Sequence, residues 1–160
     1  MATLPQLIED DVGRIDTVLR EFVAQADAIA ALLIDKGGFL VAHQGEPGEM
    51  DFTTIGALAS GAFMANQTIA ALVNEKDFNS MYQQGETFSL FVVNVDENCL
   101  LVVIFKSQAG IGVVKYYAAA ATAGLARQLA IAAERAPGCG FDLSELNLAN
   151  PQELFRKKME

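Results

Sequence analysis

Between Asp51 and Glu75 the chain runs through twenty-three residues, Phe52 to Asn74, without a single charge. A segment like this must be a membrane span, a helix covered on all sides, or a helix with one apolar partner inside the domain and another outside it. Its length permits a span. The polar residues Thr53, Thr54, Ser60, Asn66, Gln67, Thr68 and Asn74 oppose it, and the flanks Asp51, Glu75, Lys76 and Asp77 are mainly acids where a span carries basic anchors. The segment is therefore expected as a helix of a soluble domain, with Asp51 as its N-cap.

At about 100° per residue, Ile55, Leu58, Ala62, Ala65, Ile69 and Leu72 fall on one stripe of that helix, the expected core face. The opposite stripe holds Ala57, Ser60, Gly61, Met64, Gln67, Thr68 and Ala71. None is charged, in a chain that has 11 Lys+Arg and 20 Asp+Glu to place on its surfaces. Interface centres are depleted of charge, so this outward stripe is the candidate partner-binding surface.

The rest of the chain supplies a frame for the helix. Ile8, Val12, Ile15, Leu19, Phe22 and Ala26 recur at steps of three and four between Leu4 and Asp27, with Asp10, Asp11, Asp16 and Glu21 elsewhere on the cylinder, which is the pattern of an amphipathic helix. Ala28 to Ile34 and Phe39 to Ala42 read as a hairpin around Asp35-Lys36-Gly37-Gly38. Phe78 to Thr87, Phe88 to Val95 and Cys99 to Phe105 read as three more strands, the last two joined by Asp96-Glu97-Asn98. An Ala-rich helix then runs to about Arg135, with Val114, Tyr117, Ala121, Leu125 and Leu129 inward and Pro137-Gly138 as its stop. Asn150, Pro151 and Glu153 announce a last short helix. The order predicts one α+β domain over 1–135, a five-stranded antiparallel sheet sandwiched between helices, followed by a linker and short amphipathic helix over 136–160.

Several function classes fall away. The net charge is −9 and the one dense basic cluster is Arg156-Lys157-Lys158, so no basic face exists to hold nucleic acid or an anionic membrane. The first sixteen residues lack the apolar run of a secretory signal, and a cytoplasmic location is expected. His43 is the sole histidine and has no triad partner in view. Cys99 and Cys139 lack metal-ligand spacing, Asp96-Glu97-Asn98 suits a solvated hairpin tip, and Gly110-Ile111-Gly112 suits a helix entry. No metal, cofactor or catalytic residue is expected, and the protein is not expected to be an enzyme.

Three stretches taken together, LLIDKGGFLVAH, MDFTTIGALASGAF and LLVVIFKSQAGIGVVK, make the chain resemble the roadblock/LC7 domain family from about Asp10 to Arg135, most nearly its MglB group of bacterial GTPase regulators. The resemblance implies a homodimer joined edge to edge through the second strand, here Phe39, Leu40, Val41 and Ala42 within about 39–44. It also implies two copies of the uncharged helix lying together on one face, and a small Ras-like (MglA-like) GTPase contacting that face at Met64 and Thr68. Leu154 and Phe155 would anchor a partner-binding tail. Acceleration of GTP hydrolysis in cell polarity and motility would follow, by reshaping of switch loops. An arginine finger is not expected, because Arg14, Arg20, Arg127 and Arg135 all read as solvated helix residues. A non-regulatory scaffold and a small-molecule sensor are the alternative readings.

Overall fold

The computed structural model describes residues 3–135, which form three helices and one five-stranded sheet. The segment 136–160, with the expected helix at Asn150 and its anchors Leu154 and Phe155, lies outside the described residues.

Strands β1 (Ala30–Asp35) and β5 (Cys99–Lys106) are nearly continuous apolar runs, buried along almost their whole length, and they pair antiparallel at the middle of the sheet. A strand that is apolar on both faces needs cover on both sides. The strand order is β2-β1-β5-β4-β3, with β2 (Leu40–Gly45), β3 (Ser80–Gln84) and β4 (Phe88–Asn94) completing it, and every pairing is antiparallel. This is the predicted sandwich. Phe39 differs from expectation: it belongs to the β1–β2 turn and is 73% exposed, and the strand starts at Leu40. The turn closes through Gly38 N–H to Asp35 O at 2.9 Å and Phe39 N–H to the Asp35 carboxylate at 3.0 Å.

Helices α1 (Glu9–Ala26) and α3 (Ile111–Glu134) cover one face together, burying Ile15, Leu19 and Phe22 with Val114, Leu125 and Leu129 against Leu33, Leu101 and Val103. Helix α2 (Phe52–Leu72) covers the other face alone, over Leu32, Ile34, Leu100 and Val102. Its start is as predicted, with the Asp51 carboxylate accepting from Thr54 N–H at 3.1 Å.

Two neighbours in the first turns of α1 exchange their expected places. Val12, expected inward, is 40% exposed, while Asp11, expected on the surface, is fully buried. The Asp11 carboxylate accepts from Arg135 at 2.6 and 2.9 Å, from Gln128 Nε2 at 2.7 Å and from Ile8 N–H at 2.9 Å, so it caps α1 and ties it to the end of α3. Arg135 is thus an ion-pair partner and not a solvated residue. Periodicity could not show this, since an acid in the first turn is ordinary for any helix and its side-chain partners Gln128 and Arg135 lie more than a hundred residues away.

The Arg135 guanidinium, more than any other group, holds the Asp11 carboxyl well below the usual carboxylate range, against the opposing effect of burial. A carboxylate depressed in the folded state contributes stability that is complete above its unfolded pKa of about 4 and is lost as pH falls toward the folded value. Asp11→Asn is expected to lower urea-unfolding stability by about 2–4 kcal/mol at neutral pH. The difference from the parent chain should shrink as pH is lowered from about 5 to 2, as followed by circular dichroism.

Candidate functional site

Helix α2 seats itself on its small residues. Gly56, Ala59 and Ser60 are buried between Phe52 and Phe63, with Ala70 beyond them. A Cβ on Gly56 would stand 3.0 Å from Ile34 Cγ2, and Gly38, at φ +94°, brings the β1–β2 turn so close that its Cβ would be 3.0 Å from Ala57 Cα. The aromatic rings at Phe52 and Phe63 fill the space at either end of this close approach.

That seat corrects the predicted orientation of the helix. Leu58, Ile69 and Leu72, expected in the core, are 69%, 49% and 78% exposed, and Ala65 is exposed with them. Ser60, expected outward, is buried and donates its hydroxyl to Lys36 O at 2.7 Å. Gln67, also expected outward, is half-buried and holds Phe78 from both sides, donating to its O at 2.6 Å and accepting from its N–H at 3.0 Å. Ala57, Gly61, Met64, Thr68 and Ala71 are exposed as expected. The side-chain volumes explain the error: an apolar stripe is assigned to the core by bulk, whereas here closeness of approach selected the small residues and left the large aliphatics outside.

The exposed surface of α2 therefore carries Leu58, Gly61, Met64, Thr68, Ile69 and Leu72 with no charge among them. Beside it runs the open edge of β2, which also has neither charge nor proline. Such an edge presents unpaired backbone groups with nothing to blunt them. Val41 and Ala42 pack toward the α1–α3 side of the sheet and Leu40 toward α2. His43 is exposed on this strand, its ring edge-on to Phe52 at 5.3 Å.

Two concavities flank α2. The larger is an open apolar groove of about 600 Å³ between Ile55, Leu58 and Ala62 on the helix and Phe88 and Leu90 on β4. It exists because a single helix cannot span five strands about 4.8 Å apart. The smaller, about 360 Å³, lies at the turn end of the sheet among Phe63, Met64, Phe78 and the acids Asp77, Asp96 and Glu97. Neither was foreseen from the sequence.

The remaining chemical candidates are occupied structurally. Cys99 is fully buried in β5, where burial pushes its thiol up to about 12. One Asp96 carboxylate oxygen accepts from both Asn98 N–H and Cys99 N–H at 2.8 Å and closes the β4–β5 turn. Gly110, at φ +78°, leads from the single 3-10 turn Ser107–Ala109 into α3. Among the described residues no group of three His, Cys, Asp or Glu is placed to hold a metal ion. By length and composition α2 could cross a membrane, but one of its faces is committed to the sheet.

A single helix on one face of an antiparallel sheet, two on the other, and an open second strand define the class to which these residues belong. The Roadblock/LC7 domain profile matches residues 14–105, and the chain belongs to that family. Its fold is that of MglB structures. The gliding protein mglB of Thermus thermophilus is 31% identical, with 82% of this chain and 99% of that chain covered and a TM-score of 0.74. An MglB described as having a tetrameric arrangement is likewise 31% identical over 82% and 99% of the two chains, with a TM-score of 0.75. Myxococcus xanthus MglB is 25% identical over 81% and 98%, also at 0.75.

The seating of α2 makes neighbouring residues unequal. Gln67→Ala, which leaves both backbone groups of Phe78 without their partner, is expected to lower stability by about 1–2 kcal/mol. Thr68→Ala should stay within about 0.5 kcal/mol of the parent. Urea unfolding of the two variants checks both values.

Proposed function

We propose that this chain is a homodimeric, MglB-like regulator of a small Ras-like GTPase, and that it stimulates GTP hydrolysis without contributing a catalytic residue. The observation that carries the reading is the uncharged, aliphatic outer surface of α2 next to an unprotected strand edge. Pairing of two β2 edges extends the sheet through both protomers. Because α2 lies over β1 and the strands on either side of it, β2 and β5, that pairing sets the two α2 helices on one face of the joined sheet. The combined patch, with Ala57, Gly61, Met64, Thr68 and Ala71 from each copy and Leu58, Ile69 and Leu72 beside them, has the charge-depleted centre of an interface. The likeness to MglB chains, one of them in a tetrameric arrangement, supports it.

A GTPase-activating protein can insert an arginine finger or can hold the GTPase's own switch loops in their catalytic arrangement. The second route suits this face. Arg14 is paired with Asp10, Arg20 donates to Thr17 and Arg135 is paired with Asp11. Arg127 is exposed on α3, across the sheet from α2. No arginine of the described residues stands on α2 itself. An apolar surface can instead exclude water from a switch loop and favour one of its conformations.

Light scattering coupled to gel filtration should report twice 17.1 kDa. In single-turnover GTP hydrolysis with a cognate Ras-like GTPase, Met64→Arg or Thr68→Arg should weaken binding at least tenfold, since a long cation would be buried unpaired at the centre of the contact. Both side chains are exposed, so the circular dichroism spectrum and the dimer should be unchanged. Arg127→Ala should leave stimulated hydrolysis within a few-fold, whereas loss of a true finger removes about 10³ or more. A monomer, full stimulation by Met64→Arg, or collapse with Arg127→Ala would overturn the corresponding part of the reading.

A further inference from the structure

The smaller concavity beside α2 is lined by apolar and amide side chains and carries an acidic rim. Exposed Met64 and half-buried Phe78 give it apolar surface over the buried ring of Phe63, Gln67, Asn79 and Asn94 line it as well, and the exposed acids Asp77 and Glu97 stand on it with Asp96 of the β4–β5 turn. Among the described residues that line it, Lys36 is the single cation. A ligand that suits this pocket is therefore apolar at its tip and cationic next to it. The rim acids are not needed by the fold in the same way. Asp96 is held by two turn amides, while no side-chain hydrogen bond or ion pair of the described structure uses Asp77 or Glu97.

The chain contains a segment of that chemistry. Residues 1–135 carry sixteen acids against eight bases, and the remaining three bases are consecutive: Arg156, Lys157 and Lys158, directly after Leu154 and Phe155. Topology brings Arg135, from which that segment continues, to the pocket's end of the sheet. Helix α1 ends where β1 begins, so its N-terminus stands at the opposite end of the sheet, the end that carries the β1–β2 and β4–β5 turns, which are joined there by Lys36 N–H to Asn98 O at 2.8 Å. Asp11 fixes Arg135 to that same end. The pocket lies there too, on the other face of the sheet. From Arg135 to Leu154 the chain can span at most about 65 Å. The domain is three layers of about 10 Å each, so the segment reaches around the sheet end with length to spare.

We propose that residues 150–158 dock on this pocket of their own domain, with Leu154 and Phe155 against Met64 and Phe78 and the Arg156-Lys157-Lys158 cluster facing Asp77 and Glu97. The docking rests on pocket and segment chemistry alone. Its consequence rests on the function proposed above: Met64 belongs both to the pocket wall and to the outer surface of α2, so the docked segment and a partner on α2 exclude each other. The tail then acts as a built-in competitor that a GTPase must displace.

Hydrogen–deuterium exchange on the full-length chain tests the docking with no GTPase present. Amides of 152–158 should exchange at least tenfold more slowly than in the same chain carrying Asp77→Lys and Glu97→Lys, substitutions at exposed positions that should leave the domain's own exchange unchanged. Arg156→Glu, Lys157→Glu and Lys158→Glu together should abolish the protection as well. Combining all five substitutions should restore it, because each contact then regains an opposite charge. Free exchange of 152–158 in the parent chain would overturn the proposal. So would protection that survives Asp77→Lys and Glu97→Lys. Protection lost with Leu58→Asp alone would seat the segment in the groove beside β4 and overturn it equally. Failure of the GTPase assay would leave the exchange result intact, so the two readings fail separately.

Discussion

The paired central strands β1 and β5 are apolar on both faces, and the rest of the domain answers that constraint. Two strands buried above and below require two helical layers, and the chain supplies them unequally: α1 and α3 on one side, α2 alone on the other. Packing two helices over five strands closes the first face. One helix over the second face leaves the β3–β4 end open, and that opening is the apolar groove. Both concavities next to α2 are thus consequences of a layer that is one helix short.

Helix α2 resolves a second conflict. To cover β1 and β5 without a neighbouring helix to share the work, it approaches the sheet on Gly56, Ala59 and Ser60, and it is held there by the Ser60 hydroxyl on Lys36 O and by Gln67 on Phe78. The aliphatic side chains that a more distant packing would have buried, Leu58, Ile69 and Leu72, are turned outward by the same rotation. Single exposed aliphatics are ordinary on proteins, but a row of them on an uncharged helix beside an open strand edge is a surface suited to another protein. The geometry that secures the fold also turns this uncharged aliphatic surface outward.

The Asp11, Gln128 and Arg135 cluster plays a similar double part. It satisfies a buried carboxylate at the N-terminus of α1 and pins the last residue of the described body, Arg135, to the turn end of the sheet. The place of Arg135 at that end is thereby set by an ion pair between residues at opposite ends of the described body.

Much of this was legible in the residues themselves. The number and order of elements, the antiparallel sheet, the Asp51 cap and the absence of charge from 52 to 74 follow from patterns of period two and 3.6 and from turn chemistry, all of which are local. The existence of an unusual uncharged surface followed as well, because no charge anywhere on a helix means none on its outer face. What only the tertiary structure decided was which side chains form that surface and which do not. The rotation of α2, the burial of Ser60 and Asp11, the pairing of Arg135 and the two concavities all depend on contacts between residues distant in sequence. Local pattern ranks side chains by hydrophobicity, while the sheet selected them by how closely their backbone could approach, and that distance exists only once the strands are in place.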